Sequence, residues 1–438
     1  MPGKPAPQRR QLAELEGDGC LERSRSLRSS GHSSSRQCRS AGRVTQAALA
    51  VGMCHLQINM NVIATEHSYQ PHGSNGIRWM IRSCLNTAPR LESTHKPLLR
   101  GPAMTDLSNR QFLLAKRPSG AVRRDDFTYQ QVPVTSLADG QILVRNKFLS
   151  LDPAMRGWMN DGKSYIPAVQ LGEVMRALGV GEVLESKNPK FAAGDHVQGA
   201  LGTQDYFAGE PKGFYKVDTS LAPLPLYLSA LGMTGMTAYL ALLDVGQPKS
   251  GDTVLISGAA GAVGSIAGQI AKLKGCRVVG IAGGKDKCSL LTSELGFDAA
   301  IDYKSEDVMD AIKRHCPDGV NVYFDNVGGD ILDAALSQLA VGARVVICGA
   351  ISQYNNTTAI KGPANYMSLL VNRARMEGFI VLDHADRFAE AGQVMAGWIK
   401  EGKLKSKEHI VEGLETFPET FQMLFNGENQ GKLILKVE

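Results

Sequence analysis

Residues Asp252 to Gly275, DTVLISGAAGAVGSIAGQIAKLKG, constrain the fold of this chain more than any other stretch. Thr253, Val254, Leu255 and Ile256 suit a buried parallel strand, and Ile266, Ile270 and Leu273, spaced four and then three apart, predict one apolar face of a following helix. The turn between them carries Gly258, Gly261 and Gly264, interleaved with alanines that leave the backbone uncovered. In a strand-turn-helix setting this spacing predicts a dinucleotide site. Gly261 lets the chain approach a pyrophosphate, Gly264 lets the helix pack close to the strand, and the helix start offers free N–H groups to the anion.

Downstream, strand and helix patterns alternate. Strands read at 277–282, 299–303, 320–327, 343–349 and 378–382, and helices at 285–295, 306–315, 331–339, 364–376 and 385–400. A helix also reads at 231–243, ahead of the glycine turn. Such alternation predicts an α/β doubly wound fold, with a parallel sheet covered on both faces. From Met104 to about Pro225 the texture changes to short runs broken by Gly and Pro, with strands at 112–115, 141–149, 179–184 and 196–200, the pattern of a small, irregular β domain. Ser150 to Met159, SLDPAMRGWM, lies within it; Met155, Trp158 and Met159 suit an apolar pocket wall and a core plug equally. A last strand at 431–437 follows a loop and is expected to return to the first domain.

Charge separates a leader from this body. Residues 1–103 hold 14 Lys and Arg against 6 Asp and Glu, a net of +8; with +5 on the whole chain, the other 335 residues carry −3. The body therefore gives no broad electrostatic case for nucleic-acid binding. Leu21 to Arg43 is mostly Ser, Arg and Gly without hydrophobic period, so disorder is expected there. An upstream extension of the reading frame, a transit segment and a basic arm are the readings of the leader; Glu14, Glu16, Asp18 and Glu22 speak against the transit segment. A chain beginning at Met104 is accordingly expected to fold, bind its cofactor and turn over as well as the whole chain, and an insoluble or inactive truncation contradicts this.

Eight cysteines, Cys20, Cys38, Cys54, Cys84, Cys276, Cys288, Cys316 and Cys348, show no CxxC or other short metal-ligand spacing. They suggest reduced thiols in a cytoplasmic protein rather than a disulfide framework. No apolar run approaches the ~18 residues of a membrane span.

Cofactor choice is argued at the end of the second strand, about 20 residues past the glycines, where an enzyme that prefers NAD places a carboxylate on the ribose hydroxyls. Here the run is Ile281-Ala282-Gly283-Gly284-Lys285-Asp286-Lys287. Small residues leave room, and Lys285 and Lys287 can meet a 2′-phosphate with charge-assisted bonds; Asp286 cuts against this, although a helix start tolerates it. The balance favours NADP(H).

SLDPAMRG, LGMTGMTAY, AAGAVGS, AGGKDKC, FDNVGG, CGAISQYN and ENQGK occur in the order found in the zinc-independent medium-chain dehydrogenase/reductases. Residues 104–438 resemble most the NADPH-dependent alkenal/one reductases, the group that includes prostaglandin reductases and curcumin reductase. The resemblance implies a GroES-like β domain at 104–228, completed by 408–438, beside a Rossmann domain at 229–407, with the leader outside the fold. It places the pyrophosphate on Gly261, Ala262, Val263 and Gly264 and the 2′-phosphate on Lys287 and Tyr303. Asn326 after the fourth strand, Cys348, Gly349, Ala350, Ile351, Ser352 and Tyr354 after the fifth, Phe379, Ile380 and Val381 in the sixth, and Asn429 of the tail are expected to face the cofactor. Taken alone, Cys348 and Phe379 read as ordinary core residues.

Zinc lacks its ligands. Between Met104 and Pro248 there is no cysteine, Leu171-Gly172-Glu173 lacks the histidine of a Gly-His-Glu run, and His196 alone reads as a surface histidine. Without a metal, an unsaturated carbonyl must be polarised by hydrogen bonds. Tyr354 stands where the resemblance places the catalytic tyrosine, and Tyr165 is the second choice. Relatives often have DPYMR where this chain has Asp152-Pro153-Ala154-Met155-Arg156, which suggests a roomier or less polar pocket. The expected activity is NADPH-dependent reduction of the carbon–carbon double bond of enones and enals by a homodimer that needs neither membrane nor nucleic acid. The alternatives are a quinone reductase and an NADP-binding protein whose basic arm contacts nucleic acid.

Overall fold

The computed structural model describes residues 107–438. The readings of the leader, including its four cysteines, lie outside the described residues.

The first part of the chain forms β1 (Ser108–Leu114), β2 (Phe127–Pro133), β3 (Ile142–Ser150), the short helix α1 (Ala154–Trp158), β4 (Gly179–Ser186), β5 (His196–Gly199), β6 (Tyr206–Gly209) and β7 (Tyr215–Lys216). β1 and β2 pair antiparallel, and β3, β4, β5 and β7 build an antiparallel sheet in that order, with β6 also on β3. Met155 and Met159 are fully buried in this core, so they plug it, while Trp158 reaches the cleft wall.

The second part begins with α2 (Met233–Leu240), which runs on as a π-helical turn over Ala241–Gly246. There follow β8 (Thr253–Ser257), α3 (Ala262–Leu273), β9 (Arg277–Ala282), α4 (Lys285–Ser289), β10 (Ala299–Asp302), α5 (Val308–His315), β11 (Val320–Asp325), α6 (Gly329–Leu336), β12 (Leu339–Ile347), α7 (Met367–Val371), β13 (Arg375–Gly378) and α8 (Phe388–Lys400). The six strands pair in parallel in the order β10-β9-β8-β11-β12-β13. Every residue of β8 is buried, as its apolar run requires. On α3 the buried face is carried by Ile266, Ala267, Ile270 and Ala271, whereas Leu273, expected on that face, is 39% exposed at the helix end.

Three further expectations are corrected. The segment 364–376 is not one helix and 378–382 is not the sixth strand. α7 ends at Val371, and Arg375–Gly378 forms the strand by pairing with Arg344–Ile347 of β12. The apolar Phe379-Ile380-Val381-Leu382 that imitates a strand leaves the sheet and turns along the cleft. The helix expected at 331–339 also stops at Leu336, because Leu339 already pairs with Val320 of β11.

The tail contains more than the expected loop and strand: β14 (Glu408–Glu412), α9 (Phe417–Asn426) and β15 (Lys432–Lys436). β14 lies parallel to β15, and β15 is antiparallel to β3, so the tail does return to the first sheet. Phe417 and Phe421 of α9 pack with Phe112 and Phe127 in that sheet's core.

Candidate active site

The glycine turn has the shape that close backbone approach demands. Gly258 takes the left-handed conformation (φ +58°), which glycine adopts without a side-chain clash. A Cβ on Gly264 would stand 2.5 Å from the Gly258 carbonyl oxygen and 2.9 Å from the Ala259 Cα, both backbone atoms. Helix α3 starts at Gly261 with no side-chain cap, so the first-turn N–H groups are left for an anion. Gly264→Ala is expected to destabilise the fold by about 1–3 kcal/mol through overpacking, even though alanine is the better helix former. Urea unfolding measures this, and an unchanged midpoint contradicts the packing role.

At the end of β9 the structure refines the phosphate reading. Lys287 lines the cleft, and its Nζ donates to the Gly427 carbonyl at 2.8 Å. Burial, and then the charge of Lys304, hold this amine below the usual lysine value. Lys285 is exposed and off the cleft wall, so the pair of lysines reduces to one. The room beside Gly283 is taken by the ring of Tyr303, which a Cβ there would meet at 2.8 Å. Asp302 is engaged locally, accepting from the Gly284 N–H at 2.7 Å.

Buried Asp325 organises the carboxyl ends of β8 and β11. Its Oδ1 accepts from Ser257 Oγ (2.7 Å), Tyr323 Oη (2.8 Å) and the N–H groups of Val327 and Gly328 (3.0 Å each). Asn326 next to it donates from Nδ2 to the Ser257 carbonyl at 2.7 Å and from its backbone N–H to Ser257 Oγ at 2.8 Å, so it ties the two loops together at the cleft wall. Burial, and then Asp325, push the Cys348 thiol up to about 12, which keeps it protonated. Cys276, Cys288, Cys316 and Cys348 are free thiols.

The cleft runs between the two sheets and encloses about 850 Å³. Gly261, Ala262, Val263, Gly264, Lys287, Tyr303, Asn326, Cys348, Gly349, Ile351, Ser352, Tyr354, Phe379, Ile380, Val381, Asn429 and Tyr165 all lie on its wall. Ala350 does not; its N–H donates to Tyr354 Oη at 3.1 Å. Phe379 stacks on His384, with ring centres 4.8 Å apart. Asn429 Nδ2 donates to the Gly431 carbonyl, and the Gly431 N–H donates to the Ala260 carbonyl at 2.9 Å, so the tail is laced to the glycine turn.

The two tyrosines differ in setting. Tyr354 is half-buried, and burial lifts its hydroxyl above the usual phenol value. Tyr165 is 50% exposed and accepts from Trp158 Nε1 at 3.1 Å. In both cases the phenol oxygen is the acceptor, which leaves its own O–H free to donate.

Arg176 falls in none of the sequence motifs, and Lys432 and Asp152 stand in two separate ones, ENQGK and SLDPAMRG. Lys432, 2% exposed, donates to the Leu151 carbonyl (2.7 Å) and to Asp152 Oδ1 (2.8 Å), which joins the tail to the SLDP motif. Arg176 lies over the Trp158 ring. Among the described residues no group of three or more His, Cys, Asp and Glu could hold a metal ion.

Comparisons with known proteins agree with this architecture. Residues 110–217 match the family described as the N-terminal domain of oxidoreductase, and residues 262–397 the one described as zinc-binding dehydrogenase. The NADPH-dependent curcumin reductase of Escherichia coli (strain K12) is 42% identical over 334 residues, 75% of this chain and 97% of the relative. The NADP(+)-dependent 2-alkenal reductase of Nicotiana tabacum is 40% identical over 338 residues, 76% of this chain and 98% of the relative. The crystal structure of CurA from Vibrio vulnificus in complex with NADPH superposes with a TM-score of 0.72 at 42% identity and covers 75% of this chain and 99% of that one. Fold and cleft together define a nucleotide-dependent oxidoreductase. The chain belongs to the medium-chain dehydrogenase/reductase family, in its NADPH-dependent alkenal/one reductase group.

Proposed function

We propose that this protein uses NADPH to reduce the carbon–carbon double bond of α,β-unsaturated ketones and aldehydes. The observation that carries the reading is 42% identity to a curcumin reductase along almost its whole length, in a chain whose cleft joins a glycine turn to two free phenol donors. Curcumin and 2-alkenals share a double bond conjugated to a carbonyl.

The residues present fit the cofactor. The bare glycine turn and uncapped α3 suit a pyrophosphate, and half-buried Lys287 with the Tyr303 ring suits a 2′-phosphate. When bound there, NADPH supplies hydride for the β-carbon of the substrate. The chain's own part is to bind, orient and polarise. Tyr354, braced by the Ala350 N–H, donates its O–H to the substrate carbonyl oxygen, where enolate charge develops. Burial strengthens that bond and keeps the phenol protonated through neutral pH. Tyr165, more exposed, is the second donor. A panel of enones, enals and quinones, with NADPH consumption and product identification, tests the reading; saturated ketones and aldehydes are the expected products, and turnover of quinones alone contradicts it. The solved quinone oxidoreductases that superpose at 15–23% identity speak for the fold alone.

The working unit is a homodimer. β13 is the end strand of the parallel sheet, exposed along its length, and apolar Leu370 and Val371 beside it are 70% and 67% exposed. A bare edge flanked by apolar side chains is suited to a second copy of the chain. Sedimentation is expected to give a dimer that Leu370→Asp with Val371→Asp converts to monomer, and a monomeric native protein contradicts it. No helix among the described residues is long and apolar enough to cross a membrane, and the cytoplasm is the proposed compartment.

A further inference from the structure

Arg176 is a cation of the cleft that neither the fold nor the cofactor reading employs. Its guanidinium lies over the Trp158 ring at 5.6 Å from the centroid, and Nη1 donates to the Pro167 carbonyl at 2.9 Å. Those are its only contacts of this kind among the described residues, and it joins no ion pair there. Glu173 attracts it, but Glu173 Oε2 accepts from the Gln170 N–H at 2.8 Å. Of the other charges on the wall, Asp152 pairs with Lys432, Lys287 is held by Gly427 at the phosphate end, and Asp330 stands in the first turn of α6. Around Arg176 the wall is Trp158, Ile166 and Leu178, so the charge faces a largely apolar space.

A guanidinium has five N–H donors in a fixed planar fork, and here most are unspent. Trp158 carries the fork over its ring face, and the same indole, through Nε1, donates to Tyr165 Oη. An anion entering this space would meet a planar fork that makes no direct ion pair with any carboxylate among the described residues, Glu173 acting on it only from a distance.

We infer that Arg176 is a specificity residue that receives a carboxylate borne by the substrate at the end remote from the reacting double bond; this rests on the reductase reading above. The preferred substrates are then enones with an acidic tail rather than neutral ones. Trp158 serves as the shelf that aims the guanidinium, and Tyr165, on the same shelf, borders the route from the acidic tail to the carbonyl.

The test uses the whole protein with NADPH and two probes: a methyl-ketone enone with a pentyl carboxylic acid tail on its β-carbon, and the methyl ester of the same compound. The readout is the ratio of kcat/KM for acid over ester. Native enzyme is expected to favour the acid, and Arg176→Met to lower the ratio about 10- to 100-fold, the range for one charge-assisted pair. Arg176→Lys should restore part of it, because the charge returns without the fork. NADPH binding by each variant shows that the fold is intact. Equal turnover of acid and ester by the native enzyme, or equal loss of both in Arg176→Met, overturns the inference. Failure of the native enzyme to reduce either probe overturns the reductase reading, and the inference with it.

Discussion

Tyr354→Phe lowers kcat on a good enone about 10- to 1000-fold and leaves NADPH affinity little changed. The upper figure is the loss of a whole oxyanion donor, and the lower allows a water or a ribose hydroxyl to take its place. Tyr354 Oη accepts the Ala350 N–H at 3.1 Å, so the one hydrogen it can donate is available to substrate. That hydrogen bond strengthens as enolate charge develops, which is why the loss falls on kcat. The ring stays to pack on the wall, so cofactor binding is spared. The sign of the pH dependence follows from burial. The hydroxyl must be protonated to donate, and burial raises its value above that of a free phenol. Activity is therefore retained through neutral and mildly alkaline pH and falls only above the ordinary phenol range. Full kcat in Tyr354→Phe, with hydride transfer shown to be rate-limiting, passes the role to Tyr165 or to solvent.

Lys287→Ala is expected to weaken NADPH about 10- to 150-fold and NADH far less, since only NADPH carries the 2′-phosphate; the range corresponds to a charge-assisted bond of about 1.5–3 kcal/mol. The structure sharpens the choice of residue. Lys285 is exposed and does not line the cleft, so no second lysine of this pair stands in for Lys287. The Gly427 carbonyl holds Nζ in place, and an amine with three donors can keep that bond while meeting a phosphate. Loss of affinity in equal measure for both cofactors, read by fluorescence titration, shows that Lys287 does not discriminate.

The legible parts of the fold are those whose burial is complete. β8 is buried at every position, so its apolar run stood out, and the glycine turn is required by contacts within its own backbone. β13 was not legible because all four of its residues are exposed, and its strand geometry comes from pairing with β12 alone. The adjacent Phe379 to Leu382 has the composition of a strand but serves the cleft. In the tail, α9 opens with Pro418 near its start, a position that a helix accepts but that reads as a breaker in sequence. At the cleft, residues in short motifs were found from the sequence. Arg176 lies in none of those motifs, and Lys432 and Asp152, in two motifs 280 positions apart, are paired only by folding.

The proposed reaction adds hydride to the carbon–carbon double bond and keeps the carbonyl. Turnover of an enone with NADPH bearing deuterium at its transferable position, followed by mass spectrometry and NMR of the product, tests it most directly. The expected product is a saturated ketone with deuterium on the former β-carbon. Deuterium on the carbinol carbon of an allylic alcohol would contradict it.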